Sequence, residues 1–162
     1  MKTRIAWMLA GLIAVNALAG ETSKNAGFEK MKSLVGQWRG KTQDGGEIAI
    51  TYRLVAAGSV VEEHLSVADM ITMYHVDGND LMLTHYCAAG NQPRMRAGAF
   101  KEGDKTLAFS FVGATNMPDK NAKHMHNANF TFTDADHLVA EWTHYDAGKE
   151  SGGIVMTLER VK

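Results

Sequence analysis

The sequence predicts an all-β protein, a closed up-and-down antiparallel barrel of about ten strands with a short N-terminal helix. Three observations lead to this prediction. Stretches of alternating, β-rich composition recur from residue 37 onward, tight-turn residues separate most of them, and a single helix-period pattern precedes them. A meander of this length exposes its edge strands unless the sheet closes on itself. A two-sheet sandwich is the alternative, but its crossovers require longer connections than most of these gaps provide.

The elements follow in order along the chain. The helix begins at Ala26 and ends before Gly36, and its apolar positions fall at helical spacing: Phe28, Met31, Leu34 and Val35. The predicted strands cover residues 37–42, 47–56, 59–66, 69–77, 80–87, 94–101, 105–112, 124–133, 137–146 and 153–161. Gly, Asn and Asp clusters mark the turns between them. The longest irregular connection, residues 113–123, is long enough to cross one end of a barrel.

The first nineteen residues have the features of a cleaved signal peptide. Lys2 and Arg4 precede an apolar run from Ile5 to Val15, and Ala17-Leu18-Ala19 provides a small-x-small cleavage signal. The run is shorter than the roughly 20 apolar residues that span a bilayer, so we expect no stable membrane anchor. We therefore expect a periplasmic or secreted protein, with a flexible leader over residues 20–25 and one barrel domain over residues 26–162.

Composition excludes several classes of protein. The chain has 162 residues with 17 Lys and Arg against 18 Asp and Glu, so it lacks the basic surface expected of a nucleic-acid-binding protein. Its hydrophobic content of 45% excludes a disordered chain. Cys87 is the single cysteine, so an internal disulfide is impossible and stability must come from the core. The sequence leaves the oligomeric state open.

Turn lengths predict which side chains share the interior, because side chains alternate between the two faces of a strand. An Ala57-Gly58 turn places Tyr52 opposite Glu63, and an inward Glu63 then needs a partner such as a tyrosine, an arginine or a ligand. A three-residue turn over 134–136 predicts four further pairs, Phe132 with Leu138, Phe130 with Ala140, Ala128 with Trp142, and His126 with His144.

The turns near Gly78 and Gly90 are harder to interpret. The first aligns Met70, Thr72 and Tyr74 with Leu81, Leu83 and His85, and extension past Gly90 places His85 beside Arg96 and Cys87 beside Arg94. We assign this face to the interior, continued by Leu107, Phe109 and Phe111. The opposite face is also apolar enough to be internal, and an error of one residue in a loop would exchange the two. Its residues are Met73, His75, Met82, Thr84, Tyr86, Met95, Ala97 and Ala99.

The segment Gly36-Gln37-Trp38-Arg39-Gly40, a helix end followed by Gly-x-Trp at the first strand, resembles the opening of the calycin barrels. That group includes lipocalins, fatty-acid-binding proteins and nitrobindin-like haem proteins. The resemblance implies a barrel with an internal ligand site. The late-strand histidine that binds haem iron in nitrobindin-like proteins has no counterpart in 154–160. Residues 73–78, 84–87 and 90–95 resemble a group of exported bacterial proteins of unknown function, which implies no activity.

The first functional hypothesis is a lipocalin-like binding protein for a small hydrophobic or amphipathic molecule in the barrel lumen. Ligand pockets combine many apolar contacts with a few placed polar groups. The predicted ligand-binding residues are Tyr52, Glu63, Tyr74, His85, Arg96, Phe109, Phe130 and Trp142. In this hypothesis Tyr74, His85 and Arg96 hold a polar or acidic end. The alternative is that these side chains simply fill the barrel.

Two other hypotheses remain open at this point. His124 and His126, with His144 opposite, would form a three-imidazole metal site, with zinc, copper or haem as the possible cofactors. Exposed imidazoles beside a loop are the structural alternative. A barrel enzyme using a His85–Arg96 pair near Cys87 or Glu63 is the third hypothesis, although the sequence contains no nucleophile elbow, zinc-protease, phosphate-loop or dinucleotide motif.

Overall fold

The computed structural model describes residues 24–162 and shows ten antiparallel strands closed into a barrel, as the sequence predicts. One helix, α1 (Ala26–Lys32), precedes the strands β1 (Gly36–Thr42), β2 (Glu47–Val55), β3 (Val60–Leu65), β4 (Met70–Asp77), β5 (Asp80–Tyr86), β6 (Gln92–Ala97), β7 (Thr106–Thr115), β8 (His124–Phe132), β9 (His137–Asp146) and β10 (Lys149–Arg160). The predicted signal peptide and residues 20–23 lie outside the described residues. Within residues 24–162, no helix is long and apolar enough to span a membrane.

The barrel closes where β1 pairs with β10. Trp38 lies opposite Arg160 and Gly40 opposite Leu158 in this antiparallel seam. A Cβ atom on Gly40 would lie 1.9 Å from the carbonyl oxygen of Thr157, so only glycine fits at this close backbone approach. Every strand therefore has two hydrogen-bonded neighbours, and the edges of the meander are removed.

Helix α1 packs across one end of the barrel. The Asn25 side chain accepts a hydrogen bond from the Phe28 amide at 2.9 Å, so the last residue of the expected leader is the N-cap of the helix. Phe28, Met31 and Leu34 are buried, whereas Val35 is 42% exposed and does not join the predicted apolar face. The chain leaves the helix after Lys32, which turns Val35 away from the barrel.

The first strand is anchored to this end of the barrel by Trp38. Its indole N–H donates a hydrogen bond of 2.7 Å to the Leu34 carbonyl, and its ring is 1% exposed. The Arg160 guanidinium lies 4.4 Å from the ring centroid and donates hydrogen bonds to the carbonyls of Ser33 and Val35. The Gly-x-Trp segment thus joins the helix end, the first strand and the last strand.

The register of the sheet confirms the pairs predicted on both sides of the Ala57-Gly58 turn and most of those around residues 134–136. Tyr52 lies opposite Glu63, and Arg53 and Glu62 form an ion pair on the outer face. Phe132, Phe130 and Ala128 lie opposite Leu138, Ala140 and Trp142. Thr72 and Tyr74 pair with His85 and Leu83 across β4 and β5, also as predicted.

The predicted alignment across Gly90 is wrong. Met82 lies opposite Arg96, Leu83 opposite Met95 and Thr84 opposite Arg94, so β6 presents the face opposite to the predicted one. The Cys87 amide bonds to the Asn91 carbonyl and the Gly90 amide to the Cys87 carbonyl, which makes this turn shorter than expected. A register change by an odd number of residues moves a strand's side chains to the other face. Met95 is therefore internal, and Arg94 and Arg96 are external.

The pairing of His126 with His144 is also wrong. Met125 lies opposite His144 and Asn127 opposite Thr143, so His126 is the additional residue of a β-bulge in β8. A bulge inserts one residue into one strand only, and turn length cannot predict its position.

Candidate ligand site in the barrel interior

A row of polar side chains crosses four neighbouring strands on the inner face of the barrel. Tyr52 of β2, Glu63 of β3, Thr72 of β4 and His85 of β5 are successive cross-strand partners. Each of these side chains is at most 3% exposed. Polar groups at this depth are costly unless they find hydrogen-bonding partners, so their partners determine what the row can do.

Glu63 lies at the centre of this polar row. The Tyr74 hydroxyl donates a hydrogen bond to its Oε2 atom, while Oε1 has no partner within the described residues. The Tyr52 hydroxyl lies beside the same carboxyl and helps to lower its pKa, but it forms no full hydrogen bond with a described residue. Burial raises the pKa of Glu63 to about 7, against the opposing effect of the two neighbouring hydroxyls. Half of the carboxyl therefore remains available to a further group.

The other end of the row carries a neutral imidazole. Thr72 Oγ1 lies 2.9 Å from His85 Nδ1, and burial lowers the pKa of His85 to about 4. The His85 ring packs on the Trp142 ring with a centroid separation of 5.1 Å. The Trp142 indole N–H is buried without a partner in the part of the chain that the structure describes. This end of the row offers a hydrogen-bond donor in an uncharged environment.

Aromatic rings pack beside the polar row in the barrel interior. The Tyr74, Phe109 and Phe130 rings meet edge to face at centroid distances of 5.8 to 6.0 Å, and Phe130 meets Trp142 in the same way at 6.0 Å. All four rings are at most 3% exposed. The arrangement combines a large apolar surface with a few placed polar groups, which is the general composition of a small-molecule site.

Most of the predicted ligand-binding residues lie in this interior. The structure places seven of the eight together on the inner face: Tyr52, Glu63, Tyr74, His85, Phe109, Phe130 and Trp142. Arg96 does not join them, because its side chain is 55% exposed and pairs with Asp80 at 3.2 Å. The interior therefore lacks the predicted anchor for an acidic group, and the His85–Arg96 pair of the enzyme hypothesis is not assembled.

Thr72 is a site residue that the predicted ligand-binding set lacks. The predicted alignment of Thr72 with His85 on the internal face is the signal for it, since an inward threonine opposite a histidine is a natural hydrogen-bond partner.

The histidines predicted as metal ligands lie near the end of the barrel opposite α1. His124 Nδ1–H donates to the Ala122 carbonyl at 2.7 Å, which leaves its Nε2 to accept from His126 Nδ1 at 2.8 Å. The rings of Phe111 and Tyr145 stack on this pair. Burial lowers the pKa of His126, and the neighbouring His124 adds to this effect.

The predicted site of three imidazoles, from His124, His126 and His144, is not assembled in this structure. Both nitrogens of His124 are engaged, and His144 pairs with Met125 instead of His126. Among residues 24–162, no group of three or more His, Cys, Asp or Glu side chains is placed to hold a metal ion. The pair is held together by its own hydrogen bonds and by ring stacking.

Comparison with known proteins shows a similarity of fold to a solved structure and no match in sequence. No protein-family model matches the chain, and no curated protein matches it by sequence. A solved structure of a protein of unknown function from the DUF3598 family of Nostoc punctiforme is similar, with a TM-score of 0.54 and 15% identity over 81% of this chain. The match covers 48% of that protein, so this chain spans about half its length. At this identity the likeness supports the barrel fold and carries no ligand or activity.

Proposed function

We propose that the protein is an exported, calycin-like binding protein that holds a small hydrophobic or amphipathic molecule inside its barrel. The observation that carries this proposal is that three buried polar atoms of the interior, Tyr52 Oη, Glu63 Oε1 and Trp142 Nε1, have no partner among the described residues. A buried polar atom without a hydrogen bond costs about 1–3 kcal/mol, and apolar side chains of similar shape would avoid that cost. A polar end of a ligand would supply the missing partners.

The interior also has the properties needed to accept the apolar body of such a ligand. Phe109, Phe130 and Trp142 contribute aromatic surface next to the polar row. Met95 and Met156 are buried on the inner face, and flexible thioether side chains allow an interior to repack around a guest. Ten strands enclose more space than the eight of the smaller ligand-binding barrels.

Access is favoured at the end of the barrel opposite α1. The helix end is closed by Phe28, Met31 and Leu34, which are buried against the strands. On the other side of the polar row, Met70 and Met125 are only partly buried. A ligand that enters at this end would reach Glu63 with its polar end first.

The test compares two tyrosine variants. Tyr52→Phe removes a hydroxyl that makes no full hydrogen bond with the described part of the chain, so it should leave the stability of the free protein unchanged or raise it while weakening ligand binding about fivefold to tenfold. Tyr74→Phe removes a hydroxyl that donates to Glu63, so it should lower stability by about 1–3 kcal/mol. Binding is measured with the neutral apolar probe N-phenyl-1-naphthylamine and its displacement by 1-octanol, and stability by urea denaturation.

Two results would count against the proposal. Failure of the wild-type protein to bind the probe or any octyl amphiphile saturably would overturn the binding function. Equal destabilisation by the two tyrosine variants would show that the Tyr52 hydroxyl is already satisfied in the free protein. Export is tested separately by the mass of the mature protein, which should begin at Gly20.

A further inference from the structure

The interior of the barrel holds a carboxyl group and no cationic side chain among the described residues. Glu63 is fully buried, whereas each lysine and arginine in residues 24–162 is exposed or half-buried. Arg53 pairs with Glu62 on the outer face, and Arg96 pairs with Asp80 there. His85 is uncharged at neutral pH because burial lowers its pKa to about 4. Glu63 therefore has no countercharge from this part of the chain.

An ionised carboxylate in such a place is costly, since its charge is removed from water without an opposite charge nearby. The free protein reduces this cost by keeping Glu63 protonated over much of the acidic and neutral range, because burial raises its pKa to about 7. A ligand with a positive charge would supply the countercharge and favour ionisation. A ligand carboxylate would bring a second negative charge next to Glu63 and would bind poorly above neutral pH.

The surroundings of Glu63 also suit a cation. The Tyr74 ring, whose hydroxyl bonds to the carboxyl, is flanked by Phe109 at 5.8 Å and Phe130 at 6.0 Å, and Tyr52 lies on the opposite side in β2. These buried rings exclude water, which strengthens an ion pair formed at the carboxyl. The unpaired Oε1 atom of Glu63 is an acceptor that an ammonium N–H can use.

We propose that the ligand of this barrel is a cationic amine with an apolar body, whose ammonium group pairs with the Glu63 carboxylate between the rings of Tyr52 and Tyr74. This inference rests on the proposed binding function and specifies its ligand class. It replaces the acidic ligand that an internal Arg96 would have favoured. The apolar body of the amine lies against Phe109, Phe130 and Trp142.

The experiment compares three ligands with the same chain, octylamine, 1-octanol and octanoate, in displacement of N-phenyl-1-naphthylamine at pH 8. Octylamine should bind at least about tenfold more tightly than either of the others. Glu63→Gln keeps the size and an acceptor oxygen but removes the charge, so it should abolish the advantage of octylamine over 1-octanol. Glu62→Gln, the adjacent position on the outer face, is the matched control and should behave like the wild type.

A second measurement needs no variant. At pH 6, below the Glu63 pKa of about 7, binding of a cation should ionise the carboxyl and release close to one proton per octylamine. Calorimetry in two buffers of different ionisation enthalpy measures this release, and 1-octanol should release none. The wild-type result remains decisive if Glu63→Gln fails to fold.

The outcomes separate the two proposals. If 1-octanol or octanoate binds but octylamine has no advantage, or if octylamine releases no proton at pH 6, the amine assignment is overturned and the binding function stands. If the probe and all three octyl ligands fail to bind, the binding function itself is overturned. An advantage for octylamine that disappears in Glu63→Gln supports both.

Discussion

At the scale of single residues, the two buried tryptophans of the barrel differ in one respect that can be measured. Trp38 is 1% exposed and its indole N–H donates to the Leu34 carbonyl, whereas Trp142 is 3% exposed and its indole N–H has no partner within residues 24–162. The indole N–H of Trp38 thus stabilises the fold, whereas that of Trp142 is available to hydrogen-bond a ligand. The difference supports the assignment of Trp142 to the ligand site.

This contrast predicts different costs for the same substitution. Trp38→Phe and Trp142→Phe both remove ring volume, but only Trp38→Phe breaks a hydrogen bond and leaves a buried carbonyl unpaired. We expect Trp38→Phe to lower the free energy of unfolding by about 1–2 kcal/mol more than Trp142→Phe does. Urea denaturation of the ligand-free proteins measures both values. Equal losses would show that the Trp38 hydrogen bond contributes little or that Trp142 has a partner in solution.

At the scale of elements, closure depends on the close approach of β1 and β10. A methyl group at Gly40 would overlap the Thr157 carbonyl, and the backbone there belongs to the paired strand and cannot rotate away. Gly98, after β6, is a matched control because a Cβ atom there meets nothing closer than 3.9 Å.

We therefore expect Gly40→Ala to destabilise the barrel by more than about 3 kcal/mol or to prevent its closure, and Gly98→Ala to change stability by less than about 1 kcal/mol. Thermal denaturation followed by circular dichroism compares the two variants with the wild type. A Gly40→Ala protein as stable as Gly98→Ala would mean that the two strands can separate at this point without loss.

The elements also show how far the sequence could predict this structure. The alternation of apolar and polar residues and the positions of turn residues were sufficient to predict ten strands. They were also sufficient to predict the pairing of Tyr52 with Glu63, because a short hairpin fixes its own register. The position of Arg96 depends on the backbone hydrogen bonds of the turn at Gly90, which composition does not specify. His126 depends on a bulge that shifts one strand only. The apolar half of the site and the inward Glu63 were therefore predictable, whereas the positions of Arg96 and His126 were not.

At the scale of the whole molecule, two buried groups of the polar row have pKa values that burial shifts in opposite directions, so they make stability depend on pH in opposite ways. The folded-state pKa of Glu63 is raised from 4.5 to about 7, so the folded state holds its proton more tightly than the unfolded state. The stability from this group is complete below about pH 4.5 and is lost as the pH rises through 7. The folded-state pKa of His85 is lowered from 6.5 to about 4, so its contribution is complete above pH 6.5 and is lost as the pH falls through 4.

These opposite dependences predict a pH profile that one substitution should change in a defined way. In the ligand-free wild type the two contributions offset each other between about pH 4.5 and 6.5, and stability then falls slightly further and levels off once Glu63 is ionised above pH 7. In Glu63→Gln the fall is absent and the rise due to His85 between pH 4 and 6.5 becomes visible. A pKa difference of this size corresponds to on the order of 3 kcal/mol, so the variant should gain roughly that much relative to the wild type between pH 5 and pH 8.

Urea denaturation at one-unit pH steps from 4 to 8 measures this difference, with Glu62→Gln on the outer face as the control that should follow the wild-type profile. A difference between Glu63→Gln and the wild type that stays constant from pH 5 to pH 8 would contradict the prediction, because it would mean that Glu63 has the same pKa in the folded and unfolded states. The same denaturation series in saturating octylamine measures how a bound cation changes this pH dependence. A cation paired with Glu63 should remove the loss of stability above pH 6.5, since ionisation of the carboxyl is then favoured in the folded state.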